Sequence, residues 1–272
     1  EIGSGLVGSE MCIRDSSIGA VICYMLCYHM TTERVKVEQN TQKFSFKELI
    51  SEIAHNKALI GIIVCALLFL LAQLSLSNMN NYMYPNYFGN VSAMSLANLA
   101  GMVVILVLST FIVKLSAKVG KKELSVIGSI ISAAAFLILF FIHTDNVWVW
   151  IVLVLISSVG TAMFNMVIWA MITDVIDDSE VRTGVRQDGT IYSVYSFARK
   201  LGQACSSGIS GVLLSIIGYT AATAHDPKVV DGIYNVTCLV PALGMILLFL
   251  ALQFLYCLLY TSPSPRDRSL SR

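Results

Sequence analysis

From Ala58 to Val113 the chain carries no charged residue. That run is far too long for a single bilayer crossing, which takes ~20 residues of helix. Its middle is broken by NMNNYMYPNYFGN (Asn78 to Asn90), where Pro85 and Gly89 supply turn chemistry and the asparagines and tyrosines supply polarity. The pattern predicts one helix near 58–80 and another near 92–114. Lys114, Lys118, Lys121 and Lys122 close the second. A third apolar run, Leu124 to Ile142, is separated by the short loop His143–Asn146 from a fourth, Val147 to Ile172. A charged stretch, TDVIDDSEVRTGVRQDG (Thr173 to Gly189), follows. A fifth span is expected from near Thr190 to near Gly218, and a sixth from roughly Tyr234 to Tyr256. Upstream, Ser17–Met30 is shorter and reads as the stub of a further span.

Composition agrees with lipid as the solvent. Of 272 residues 56% are hydrophobic and 13% charged, roughly half the charged share of a soluble domain. The net charge of +1 offers no footprint for a nucleic-acid partner. The charges inform through their placement. Arg34, Lys36, Lys43, Lys47 and Lys57 sit before the first full span, Lys114, Lys118, Lys121 and Lys122 after the second, and Arg182 and Arg186 after the fourth. The three alternate loops carry only Lys228. Eleven against one places the basic loops in the cytoplasm and fits six spans without a misplaced loop.

Five segments follow. Residues 1–16 are expected to be non-native, with neither a signal peptide's layout nor a helical face. Residues 17–30 are a partial span. Residues 31–57 form a cytoplasmic loop in which FSFKELISEIAHNKAL puts Phe46, Leu49, Ile50 and Ile53 on one face of a surface helix. Residues 58–256 are the six-span bundle. Residues 257–272 end in a Ser/Pro/Arg tract and, like 1–16, resemble translated cloning or adaptor sequence. Seven scattered cysteines without a CxxC pair read as small packing residues rather than a disulfide or metal framework.

Several polar residues stand inside spans. Arg199 and Lys200, in IYSVYSFARKLGQACSSG, lie about ten residues into the fifth. At ~1.5 Å per residue Lys200 is then ~15 Å deep, where a cation costs ~2.5–3.5 kcal/mol and needs a cavity or a carboxylate. Adjacent helix positions point ~100° apart, so the two cations serve different surroundings. If the span instead starts near Arg199, both sit at the interface. Gln73, Ser77, Asn80 or Asn81, and Tyr84 on the first full span follow roughly i, i+4 spacing, as do Asn165 and Trp169 on the fourth. Amides bond sugar hydroxyls and aromatic rings cover sugar faces, although such residues also serve as interhelical glue. Asp174, Asp177, Asp178, Glu180, Arg182, Arg186 and Asp188 cluster at the cytoplasmic mouth. They read as gating ion pairs or a solvated face, with Mg²⁺ coordination by a membrane-embedded transferase as the alternative of another class. GxSxG, HExxH and P-loop patterns are absent from the sequence.

The stretch ITDVIDDSEVRTGVRQDGTIYSVYSFARKLGQACSSGISGVLLSIIGY resembles the last inward loop and eleventh helix of the glycoside–pentoside–hexuronide:cation symporters, the melibiose-carrier family. The shared features are an Asp, an acidic patch, T-G-x-R, an acid–Gly pair, an aromatic-rich helix start and K-x-G-x-A. The resemblance covers residues 17–256. It implies an all-α membrane fold: the stub of helix six plus the six-helix carboxy-terminal bundle of a twelve-helix major-facilitator fold. It further implies a bacterial inner-membrane carrier with no cofactor, moving a sugar, glycoside or uronide together with Na⁺ or H⁺ by alternating access. A lysolipid transporter of the same superfamily is the nearer alternative. By the resemblance Lys200 matches the cation-coupling lysine, whose acidic partners belong to an amino-terminal half not in this sequence, and Asp174, Asp177, Arg182 and Arg186 fall on the loop motif. LSAKVGKK (Leu115 to Lys122) is similar to the superfamily's glycine and basic loop, with Ala117 where an Asp is usual.

Overall fold

The computed structural model describes residues 2–31, 56–183, 188–220 and 222–256. Every regular element among them is an α-helix. Helix α1 is Ile2–Met30, α2 Lys57–Asn86, α3 Val91–Val119, α4 Lys121–Ile142, α5 Val147–Thr183, α6 Asp188–Ile217 and α7 Pro227–Phe254. The described residues up to 31 and those from 56 onward fall into two compact units. The first contains α1, whose apolar part is Ser16–Met30 and whose helix runs through position 17 without a break. The second contains α2 to α7, all six long and apolar enough to cross a membrane. The expected surface helix around Phe46 to Ile53, Arg186 and residues 257–272 lie outside the described residues.

Local chemistry sets the helix ends. The Asn56 side chain caps α2 by accepting from the Leu59 amide at 3.0 Å, and Asn90 caps α3 by accepting from Ala93 at 3.1 Å. Asp226 caps α7, with Pro227 in the first turn, where its missing amide costs nothing. A single residue, Gly120, joins α3 to α4 at φ 101°, a conformation a side chain would strain.

Several helix ends depart from the pattern; α7, for one, starts at Pro227 rather than near Tyr234. Helix α2 runs on to Asn86, past the expected end near 80, and takes Pro85 into its last turn. Two amides near that end are met from the side rather than by a loop: Asn86 Nδ2 donates to Tyr219 Oη at 3.5 Å, and Asn78 Nδ2, two turns earlier, to Ser210 Oγ of α6 at 3.2 Å. Helix α5 likewise continues through the charged stretch to Thr183. Asp174, Asp177 and Asp178 therefore sit on a helix, at i, i+3 and i+4.

Contacts arrange the helices in the order α6–α2–α7–α4–α5–α3. Only 6% of the most apolar stretch of α3 and 22% of that of α6 are buried, against 56% for α2, so α3 and α6 are the peripheral helices. Two apolar cores fill the bundle. One, at the basic end, includes Leu59, Ile62, Phe164, Ile172 and Val175, and the other, at the opposite end, Met83, Phe136, Leu139, Trp150 and Tyr234.

Helices α4 and α5 meet at Gly128 and Gly160, where a Cβ on either would press into the other's backbone carbonyl. Ser132 and Ser157 pair beside them, hydroxyl to hydroxyl, at 2.7 Å, fully inside the bundle. Small residues of this kind let membrane helices approach closely enough for backbone packing to hold them.

Candidate functional site

Helix α6 carries the chemistry of the bundle. From Asp188 to Lys200 is twelve residues, so Lys200 lies roughly 18 Å along a helix that extends seventeen residues beyond it. The lysine is exposed on the bundle surface. Arg199 turns to a different face, as the ~100° step between neighbours requires. Its guanidinium carbon lies 4.7 Å over the Trp169 ring of α5 and 5.8 Å over the ring of Tyr195, one turn back on α6. Trp169 is in edge contact with Tyr195 at 6.0 Å and tilted against Tyr192 at 6.3 Å. Tyr195 is buried, whereas Trp169 is 41% and Tyr192 48% exposed. The result is an aromatic platform with a cation laid on it, open on one side. Asn165, one turn along α5 from Trp169, is exposed beside it.

A second polar feature lies where α2 meets α6, towards the end opposite the basic loops. Ser75 and Ser206 hydroxyls face each other at 3.3 Å, Asn78 bonds Ser210, and Asn86 Nδ2 donates to Tyr219 Oη at 3.5 Å. Asn78, Asn81, Tyr82, Ser207 and Ser210 line an uncharged pocket of about 260 Å³. Asn81 is exposed there, its Nδ2 donating to the Ser77 carbonyl at 3.2 Å. The pocket takes in none of Gln73, Asn165 or Trp169, and Gln73 is half-buried on α2. The four residues expected to contact sugar are thus not brought together: Asn165 and Trp169 share the platform, Asn81 lines the pocket and Gln73 belongs to neither.

At the basic end Lys121, first residue of α4, donates to both Asp174 oxygens at 2.7 Å. Asp177 is half-buried beside Asp174 on α5, one turn further along. Arg182 stands in the last turn of α5, with its side chain outside the described set. At the opposite end Tyr87 donates to Asp145 at 2.8 Å and His143 Nε2 lies 3.2 Å from Asp231. Burial, then the hydrogen bond to Asp145, pushes the Tyr87 phenol up from its ordinary value.

Motif reading left Tyr192 and Tyr195 unassigned. Their positions at i, i+3 and i+7 with Arg199 place all three on one helix face, and that spacing was the available signal. Only the packing of α5 beside α6 adds Trp169 to them.

Six helices long and apolar enough to cross a membrane, joined by polar seams, mark a bundle from a polytopic membrane protein. The chain belongs to the MFS/sugar transport protein family, which it matches over residues 17–258. That family consists of transporters rather than enzymes, which answers the transferase alternative. The chain is 31% identical over 237 residues to the uncharacterized symporter YjmB of Bacillus subtilis, covering 87% of this chain and 51% of that protein. It is 29% identical to the glucuronide carrier protein homolog of Escherichia coli, covering 88% and 52%. Against the isoprimeverose transporter of Lactiplantibacillus pentosus the identity is 24%, with 86% and 49% covered. The chain spans about half the length of these curated relatives, and it is part of an integral, multi-pass membrane protein.

Proposed function

We propose that the full-length protein is a symporter of the bacterial inner membrane that moves a sugar, glycoside or uronide together with Na⁺ or H⁺, and that this chain supplies its carboxy-terminal bundle. The observation that carries the reading is the cationic pair Arg199–Lys200 midway along a membrane-spanning helix, next to exposed Trp169 and Asn165. An intramembrane cation is retained where it faces a water-filled path or an acid. The peripheral, poorly buried faces of α3 and α6 support a second bundle packing there. Related proteins named for glucuronide and isoprimeverose support a sugar cargo.

In this reading Lys200 pairs with a carboxylate of the missing half when the cation site is empty. Asn165 and Trp169 meet the sugar in the central cavity, and Gln73 and Asn81 line its outward path. Asp174, Asp177, Arg182 and Arg186 close the cytoplasmic mouth when the carrier opens outward, with Lys121 as the partner of Asp174.

Cation-gradient-driven accumulation of labelled sugar by the full-length protein tests the assignment. Lys200→Gln should abolish concentrative uptake at near-normal membrane abundance, because it leaves a buried acid uncompensated. Wild-type accumulation by Lys200→Gln at equal abundance would remove the lysine from the coupling mechanism.

A further inference from the structure

We infer that Arg199, laid on Trp169, is a specificity-determining residue that selects sugars bearing an acid group, a carboxylate or sulfonate. The inference rests on the symporter reading above and names the cargo class of the same site. A guanidinium presents two distinct surfaces. Its flat faces stack on rings, and its edge carries a fork of N–H donors matched to the two oxygens of a carboxylate. With its carbon 4.7 Å over Trp169 and 5.8 Å over Tyr195, the guanidinium of Arg199 rests against two rings. Its donor edge is the part left for a ligand. Among the described residues no carboxylate forms an ion pair with Arg199, and the Lys121–Asp174 pair uses a different cation.

The platform is also shaped for a sugar. Trp169 and Tyr192 are each roughly half exposed, so ring surface remains to cover the apolar face of a pyranose while the guanidinium takes its acid. Lys200, pointing ~100° away, keeps a separate task. A neighbouring pair of cations thereby divides into one that reads the cargo and one that reads the coupling ion.

The test uses the full-length carrier in cells lacking other uptake routes, with membrane abundance measured for each variant. KM for uptake of a glucuronide is compared with KM for the matching neutral glucoside in wild type, Arg199→Gln and Arg199→Lys. The expected result is a wild-type preference for the glucuronide that collapses on the order of tenfold in Arg199→Gln, as loss of a charge-assisted bidentate contact predicts. Arg199→Lys, which restores charge without the fork, should fall between. If Arg199→Gln fails to reach the membrane, the Arg199→Lys ratio decides. A ratio unchanged from wild type, whether both sugars are kept or both are lost, overturns the inference. So does a wild-type carrier that accumulates the glucoside but not the glucuronide, an outcome that leaves the symporter reading standing. Accumulation of no sugar by wild type would sink the symporter reading, and this inference with it.

Discussion

Helices α4 and α5 meet backbone to backbone, whereas α2 and α6 meet through hydroxyls and amides beside an open pocket. The first seam rests on Gly128 and Gly160 in direct contact, with Ser132 and Ser157 paired and buried beside them. The second has contacts of 3.2–3.5 Å spread over three turns and a pocket of about 260 Å³ between them. Lipid supplies no hydrophobic drive for helices to associate, so dispersion across close backbones is the stronger holder. Hydrogen bonds between membrane helices average only ~0.6 kcal/mol, because each group finds other partners when the helices part. Ser210 already donates to its own helix at the Ser206 carbonyl, 2.9 Å away, and Asn81 to Ser77. The α2–α6 seam can therefore exchange contacts at little cost, and α6 is the helix that bears Arg199 and Lys200. We expect the tight seam to keep the bundle's shape and the polar seam to let α6 shift.

The largest expected effect is at the tight seam. Gly160→Leu must push against the Gly128 carbonyl, and overpacking of this kind costs ~1–3 kcal/mol or more. Detergent-solubilised protein should lose its monodisperse peak at a clearly lower temperature than wild type. Equal thermal survival would erase the distinction between the seams.

At the polar seam, Asn78→Ala together with Ser210→Ala should cost no more than ~1 kcal/mol, from the one modest interhelical bond they share. The same thermal measurement checks it, and a loss as large as that of Gly160→Leu would show the α2–α6 contact to be structural. Smaller still is the static contribution of Lys121–Asp174, whose side chains are 34% and 36% exposed. Such pairs contribute ~0–1 kcal/mol. Asp174→Asn should barely move stability, so a large drop in uptake at normal abundance would mark a role in the transport cycle. No change in uptake would reduce the pair to a solvated contact.

The smallest effect at neutral pH belongs to Tyr87. Its phenol is raised above the ordinary 10.0, first by burial and then by Asp145, so the folded state favours the neutral form. That contribution is fully present below pH 10 and is lost as pH rises through the higher folded value. Thermal midpoints of wild type should fall above pH 10 more steeply than those of Tyr87→Phe. Parallel slopes would show that the tie between α2 and the α4–α5 loop does not matter.

The number and order of the spans were legible because lipid demands long apolar runs and the charges punctuate them. Helix ends were less so, for a reason that Asn86 makes concrete. Its amide reads as loop until Tyr219, 133 positions away, is known to face it. The acids after Ile172 likewise read as loop, since nothing local reveals that α5 continues with Asp174 against Lys121. Divergent directions for Arg199 and Lys200 followed from helix geometry alone. Trp169 under Arg199 did not, because it depends on which helix lies beside α6.

The short link between α4 and α5 bears on the order of assembly. His143, in the left-handed region at φ 46°, ends α4 and begins a connection that runs only to Asn146. Ser132 and Ser157 are 25 positions apart, whereas Ser75 and Ser206 are separated by 131. Loop closure is cheaper for the nearer pair, and during synthesis its partners emerge together. Helix α2, by contrast, must wait in the bilayer until four more helices have been made before its seam with α6 can form. We expect α4 and α5 to insert as a hairpin that later helices dock against. Cysteines at 132 and 157 should already cross-link in a chain stopped after Thr183, and cross-linking only once α6 and α7 are present would reverse that order.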